Sequence, residues 1–192
     1  MRTPEQGAAA AHGPSRRPGR PPLTRTLWRI ATDTPGYGAD DLTGAGARAT
    51  GGRWNRSGTA MVYASTSRAL ACLETVVHLH GAGMPLNRYL VAITVTEADW
   101  RARAVFRVDE AVGWDAQPAG LVSLDWGTMW AARSATLLAE VPSAIVPEET
   151  NVLINPAHAR VAHVTASKVR RWLYDPRMFV AGGEPPRRRR ST

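Results

Sequence analysis

Apolar residues along the middle of the chain recur with two different periods, and the changes between them mark most of the elements. Residues 26–31 carry Leu27, Trp28, Ile30 and Ala31 and end in a Gly/Pro/Asp-rich stretch from Asp33 through Gly46, a pattern that predicts a first strand and a long loop. Residues 59–65 are short and apolar and suit a second strand. From Arg68 the period lengthens. Ala69, Leu70, Leu73, Val76, Val77 and His80 recur at helical spacing, Ser65, Thr66 or Ser67 can cap, and Gly81 stops the run, so a helix is predicted over 68–80. Glu74 falls at the edge of its apolar stripe, where a carboxylate can line a cleft or simply face solvent.

Residues 89–95 alternate well enough for a strand, and 105–108 read as another. A second helix is predicted over 125–140, around Met129, Ala132, Leu137 and Leu138. Val141-Pro142-Ser143-Ala144-Ile145-Val146-Pro147 follows, whose prolines exclude a helix interior and suit an extended segment. Residues 151–154 and 160–164 read as short strands separated by Asn155-Pro156. Strands of irregular spacing with few helices predict a compact α+β fold with mainly antiparallel sheets rather than a regular βαβ array. There is no internal repeat.

Composition changes this picture mainly at the ends. The chain of 192 residues fits one domain at residues 25–182, while residues 1–24 and 183–192 are rich in Ala, Gly, Pro and Arg and read as disordered basic tails. Each tail carries four Arg against one Glu, so most of the net charge of +8 lies outside the domain, which keeps about +2. Lys168 is the sole lysine against 23 arginines. With one cysteine, Cys72, no internal disulfide framework can form, and a cytoplasmic location is expected; core packing is the better reading of that thiol than nucleophile. No signal-peptide core and no membrane-spanning run are visible.

The candidate chemistry concentrates in three places: Gly51-Gly52-Arg53-Trp54-Asn55, then Tyr63, then Glu74. A guanidinium can clamp a phosphate, an aromatic face can hold a flat heterocycle, and a carboxylate can stabilise a positively charged sugar. Nucleotide folds of the Rossmann or Walker type have no support, since neither glycine motif occurs. His78 and His80 lie two apart on the predicted helix and so diverge, which argues against a shared metal; no metal or cofactor is expected. His158 and His163 are read as structural.

These residues stand in a recognisable order. Leu27-Trp28-Arg29-Ile30, Gly44-x-Gly46-Ala47, Arg53-Trp54-Asn55, Val62-Tyr63-Ala64, Leu73-Glu74-x-x-x-His78 and Val141-Pro142-Ser143, followed by Glu149-x-Asn151 and Asn155-Pro156-x-His158, closely resemble the RES-domain toxins. The resemblance runs from about Leu27 to about Phe179 and implies a bacterial type II toxin, similar in fold to ADP-ribosyltransferase toxins, with an NAD-binding cleft. It places the family's arginine, glutamate and serine on Arg53, Glu74 and Ser143. Ser134 is a rival for the serine but lacks the Val-Pro-Ser context. Tyr63, Arg29, Trp54 and Asn55 are the expected substrate-binding residues.

Nicotinamide–ribose cleavage develops oxocarbenium charge, so the chemistry suits a carboxylate at Glu74, with Arg53 on pyrophosphate or ribose, Tyr63 beside nicotinamide and Ser143 hydrogen-bonded to substrate. NAD would then be substrate rather than cofactor, and water, phosphate or a protein the acceptor. The resemblance further implies a cognate Xre-like DNA-binding antitoxin that covers the cleft, and it leaves room for a homo-oligomer within such a complex. A nucleic-acid-binding module using the Arg-rich ends is the alternative of another class; the nearly balanced core and scattered Trp residues weigh against it. A noncatalytic partner domain is a third reading.

Overall fold

The structure, a computed structural model, describes residues 23–79 and 86–179. Residues 1–22 and 183–192, His80 and Gly81 lie outside that range, whereas Leu23 and Thr24, expected in the N-terminal tail, are described, and Thr24 opens the first strand. Among the described residues seven strands form one sheet: β1 (Thr24–Thr32), β2 (Val62–Ser65), β3 (Arg88–Thr96), β4 (Ala104–Val105), β5 (Leu138–Pro142), β6 (Thr150–Ile154) and β7 (Thr165–Arg171). Their order is β4-β5-β6-β2-β1-β3-β7, and every neighbouring pair is antiparallel except β4 with β5. The described residues also form four α-helices: α1 (Ala45–Thr50), α2 (Arg68–Val76), α3 (Glu97–Arg101) and α4 (Leu121–Arg133). The α+β architecture agrees with the alternation read along the strands.

That alternation also divides the interior. Leu27 and Ala31 of β1, Val62 and Ala64 of β2, Val91, Ile93 and Val95 of β3, and Val152 and Ile154 of β6 pack together on one face. The intervening residues face the other way and form two separate clusters. Beneath α2, Ile30 and Leu90 pack with Ala71, Cys72 and Tyr174. On the β5-β6-β2 half, Ala139, Val141 and Leu153 meet Met61, Trp54, Phe106, Trp114 and Trp130. Cys72 is buried, and burial pushes its thiol pKa up, as suits a packing residue.

The boundary between those two clusters matters most for the site. β1 and β3 pair through nine consecutive residues, whereas β1 and β2 share a single register pair, Trp28 with Ser65. Past that pair the strands part. The sheet therefore consists of two ladders joined at one point, with an opening between them on the side of α2.

Several predicted elements end or change type. The helix expected over 125–140 is α4, over residues 121–133; Ser134 halts it in the left-handed region at φ 48°, and residues 138–142 run on as β5. Leu137 and Leu138 look helical by spacing, yet Leu138 and Ala139 point to opposite faces of the sheet. The strand expected over 160–164 is a 3-10 turn, Ala159–His163, because the His158 ring accepts the Arg160 amide and Arg160 turns back onto Asp99. The strand over 105–108 shortens to Ala104–Val105, β2 begins at Val62, and the predicted 33–46 loop leads into α1. Both α3 and β7 lay outside the expectations. α2 is capped by Ser67, whose hydroxyl accepts the Leu70 amide, and it ends at Val76 rather than His80.

Candidate active site

The Gly51-to-Asn55 motif is a tight turn. Gly52 N–H donates to the Asn55 carbonyl at 3.0 Å and Asn55 N–H to the Gly52 carbonyl at 3.4 Å, so Arg53 and Trp54 occupy the apex and diverge. A side chain at Gly52 would place a Cβ 2.7 Å from the Tyr63 hydroxyl oxygen, which is why no larger residue fits beneath that ring. Trp54 turns inward. It is 2% exposed and packs against Phe106, Trp114 and Trp126, while its carbonyl lies so near α4 that a Cβ on Gly127 would sit 1.9 Å from it. The aromatic cluster thus anchors the turn.

Arg53 points the other way, into a cavity of about 710 Å3. This volume lies within the range of small-molecule and cofactor sites. Its walls are Arg29 and Ile30 from β1, Tyr63 to Ser65 from β2, Glu74 and Thr75 from α2, His78 two residues beyond that helix, Arg88 from β3, the turn itself and Gln117 to Ala119. The cavity therefore fills the opening where β1 and β2 part. One Arg53 nitrogen donates to the carbonyls of Trp114 and Ala116, at 3.2 and 3.0 Å. Arg53 makes no ion pair with a described residue, so its charge is held in place but not neutralised. Such a guanidinium is prepared for an anion.

Glu74 is held from two directions. Its Oε1 accepts the Ser143 hydroxyl at 2.8 Å and the Asn151 amide at 2.5 Å. Ser65 in turn donates to Asn151 Oδ1 at 2.7 Å, fixing the orientation of that amide. Ser143 itself accepts the backbone N–H groups of Ile145 and Val146, both at 3.1 Å, and so belongs to a closed turn after β5. Oε2 has no hydrogen-bond partner among the described residues. One carboxylate oxygen is positioned by the protein, and the other has its acceptor capacity unused among the described residues.

The structure brings Arg53, Tyr63, Glu74 and Arg29 to one cavity and gives the other expected residues different tasks. Ser143 is fully buried and off the cavity wall; it touches Glu74 where a substrate contact was expected. Asn55 is also fully buried, and all its polar capacity is used: Nδ2 donates to the carbonyls of Ala47, Arg56 and Thr59, and Oδ1 accepts from Tyr63. It shapes the loop and does not reach a ligand. Trp54 borders the cavity, but its indole belongs to the aromatic core. Tyr63 spends its hydroxyl on Asn55 and the Trp54 amide, and burial raises its pKa well above the usual phenol value, so only its neutral ring can serve a ligand.

Three contributors escaped the sequence reading. Asn151 belongs to the RES-like pattern without an expected role, Ser65 reads from sequence only as a possible helix cap, and nothing in the sequence distinguishes Arg88 at the start of β3. Arg29 is part-buried and donates to the Asp41 carbonyl at 3.1 Å. Burial depresses its pKa, Asp41 and Tyr37 oppose that effect, and the charge of Arg88 adds to it. The cavity thus presents three guanidinium groups and one carboxylate.

With this geometry in place, the comparison with known proteins is direct. Residues 26–176 match the RES domain. The chain belongs to the RES-domain toxin family. It is 59% identical over 158 residues to a protein of Sphingobium sp. named Prs ADP-ribosylating toxin, an alignment that covers 82% of this chain and 98% of that one. It is 36% identical to Toxin Res of Yersinia enterocolitica, over 64% of this chain and 79% of the relative, and 35% identical to Toxin Res of Pseudomonas putida, over 80% and 99%. In this RES-domain protein Arg53 and Glu74 both line the cavity, and Ser143 donates a hydrogen bond to Glu74. Among the described residues no helix is long and apolar enough to cross a membrane.

Proposed function

We propose that this RES-domain toxin cleaves the nicotinamide–ribose bond of NAD, with Glu74 as the carboxylate that stabilises the oxocarbenium-like ribose. The observation that carries this reading is the half-satisfied Glu74, which lines a cavity otherwise rich in arginine and whose Oε1 is fixed by Ser143 and Asn151 while Oε2 has no hydrogen-bond partner among the described residues. Arg53 would hold the pyrophosphate, and the Tyr63 ring would form a flat wall for nicotinamide. As the C–N bond breaks, its electron pair stays with nicotinamide and neutralises the pyridinium ring. That leaving group needs no proton, so the site needs no general acid. The positive charge passes to the ribose, where a preorganised carboxylate acts most strongly in the transition state. An acceptor oxygen then bonds to the ribose carbon and gives up its proton to Glu74 or solvent.

Water or inorganic phosphate as acceptor would deplete NAD. A second reading, transfer of ADP-ribose to a protein, is favoured by the 59% identity to a relative named Prs ADP-ribosylating toxin. A toxin of either kind calls for an antitoxin, which we infer to be an Xre-like partner covering the cavity. The test is to incubate the pure protein with NAD alone, with phosphate and with cell extract, following nicotinamide release and labelling of protein. Glu74→Gln should lower the rate by about 100-fold or more. Absence of nicotinamide release in all three conditions overturns the proposal.

A further inference from the structure

Arg29 and Arg88 lie on neighbouring strands, line the same cavity and are close enough for their charges to repel. Neither makes an ion pair with a described residue. Arg29 donates to a main-chain oxygen of Asp41, whose carboxylate is turned toward the amide and hydroxyl of Thr43. The Asp33 carboxylate, next to the strand position that pairs with Arg88, is taken by Lys168 and the Ala39 amide. Arg88 Nε is buried without a hydrogen-bond partner. Asp41 attracts Arg29 and offsets part of this repulsion, but two like charges in a partly desolvated pocket, with an orphaned donor on Arg88, still cost stability that an anion between them would relieve.

We propose that Arg29 and Arg88 form a second phosphoryl-binding subsite, on the β1–β3 wall of the cavity and separate from the Arg53 turn. Placing a phosphoryl group of a dinucleotide there rests on the NAD reading above; binding of a phosphoryl group does not. The same chemistry has two sources, the phosphates of the nucleotide substrate or free inorganic phosphate, and the subsite makes Arg88 a binding residue for whichever is used.

The experiment is calorimetric titration of the full chain with ADP, inorganic phosphate and adenosine, for wild type, Arg88→Gln and Arg88→Lys, with thermal unfolding to show that each variant is folded. Loss of one charge-assisted contact should weaken the phosphorylated ligand about tenfold or more, leave adenosine unchanged, and be partly restored in Arg88→Lys. Weakening of ADP identifies a nucleotide phosphate, and weakening of inorganic phosphate alone identifies a free one. Unchanged affinity for both in folded Arg88→Gln overturns the subsite. If in that case wild type still releases nicotinamide and Glu74→Gln does not, the subsite fails and the NAD reading stands. If no variant or wild type cleaves NAD yet ADP binding depends on Arg88, the reverse holds.

Discussion

Ser143→Ala tests the claim that this serine acts through Glu74. The hydroxyl makes three contacts at a fully buried position: it donates to Glu74 at 2.8 Å and accepts the Ile145 and Val146 amides at 3.1 Å. Those two amides lie in half-buried residues, so water can replace part of what is lost, and each should cost about 1 kcal/mol. The bond to the carboxylate is charge-assisted and contributes about 1.5–3 kcal/mol, part of which is recovered by solvent. Stability should therefore fall by about 2–4 kcal/mol, or roughly 5–15 °C in Tm for a domain of this size. Catalysis should fall separately. With only Asn151 left to hold it, Glu74 gains rotameric freedom, and kcat/KM for nicotinamide release should drop about 10–100-fold at a temperature well below the variant's Tm. Asn151→Ala removes the other bond to Oε1 without opening the serine turn, so it should match Ser143→Ala in rate but lose less stability. A Ser143→Ala protein that melts early yet keeps kcat/KM within about twofold would refute the positioning role and leave the serine a turn residue.

Three further substitutions probe the frame. Gly127→Ala would drive a Cβ to 1.9 Å from the Trp54 carbonyl, and the urea midpoint should fall by the equivalent of at least about 3 kcal/mol; an unchanged midpoint would show that α4 does not brace the turn. Tyr63→Phe leaves Asn55 Oδ1 without a donor and the Trp54 amide without an acceptor, which should cost about 2–4 kcal/mol while retaining an aromatic wall, so denaturant stability should suffer more than KM. Asp99 is held below the usual carboxylate range chiefly by its hydrogen bonds to Arg160, so this pair stabilises the fold above about pH 4 and ceases to as pH falls through the depressed value. Arg160→Ala should accordingly cost about 1–3 kcal/mol at neutral pH, less than a fully buried pair since Arg160 is half exposed, and should move the acid-unfolding midpoint to higher pH.

What could be read from the sequence was whatever depends on neighbours along the chain. β1, α2 and β3 show their period locally, and the Ser67 cap with them. The turn carrying Arg53 announces itself through two glycines, and the carboxylate at the helix edge through its offset from Leu70. Contacts between distant segments were invisible. Ser143 and Asn151 reach Glu74 across 69 and 77 residues, and Asn55 faces inward because the Tyr63 hydroxyl donates to its side chain from β2. No periodicity reports which of two polar neighbours, Trp54 aside, will be buried. The helix expected over 125–140 failed for a related reason: Leu137 and Leu138 are apolar because two faces of a sheet receive them and their neighbours, a tertiary fact that helical spacing imitates.

The single register pair between Trp28 and Ser65 has a thermodynamic consequence. A sheet continuous through every strand opens as one cooperative unit, whereas a seam of one pair lets its two halves exchange amide protons on separate timescales. A molecule seated between Arg29 on one side and Tyr63 on the other would act as a stitch. Its binding free energy would appear as added stability, about 2.7 kcal/mol at a concentration one hundred times Kd, and would be concentrated at the seam. Occupancy, not sequence alone, would then set how rigid the middle of this protein is.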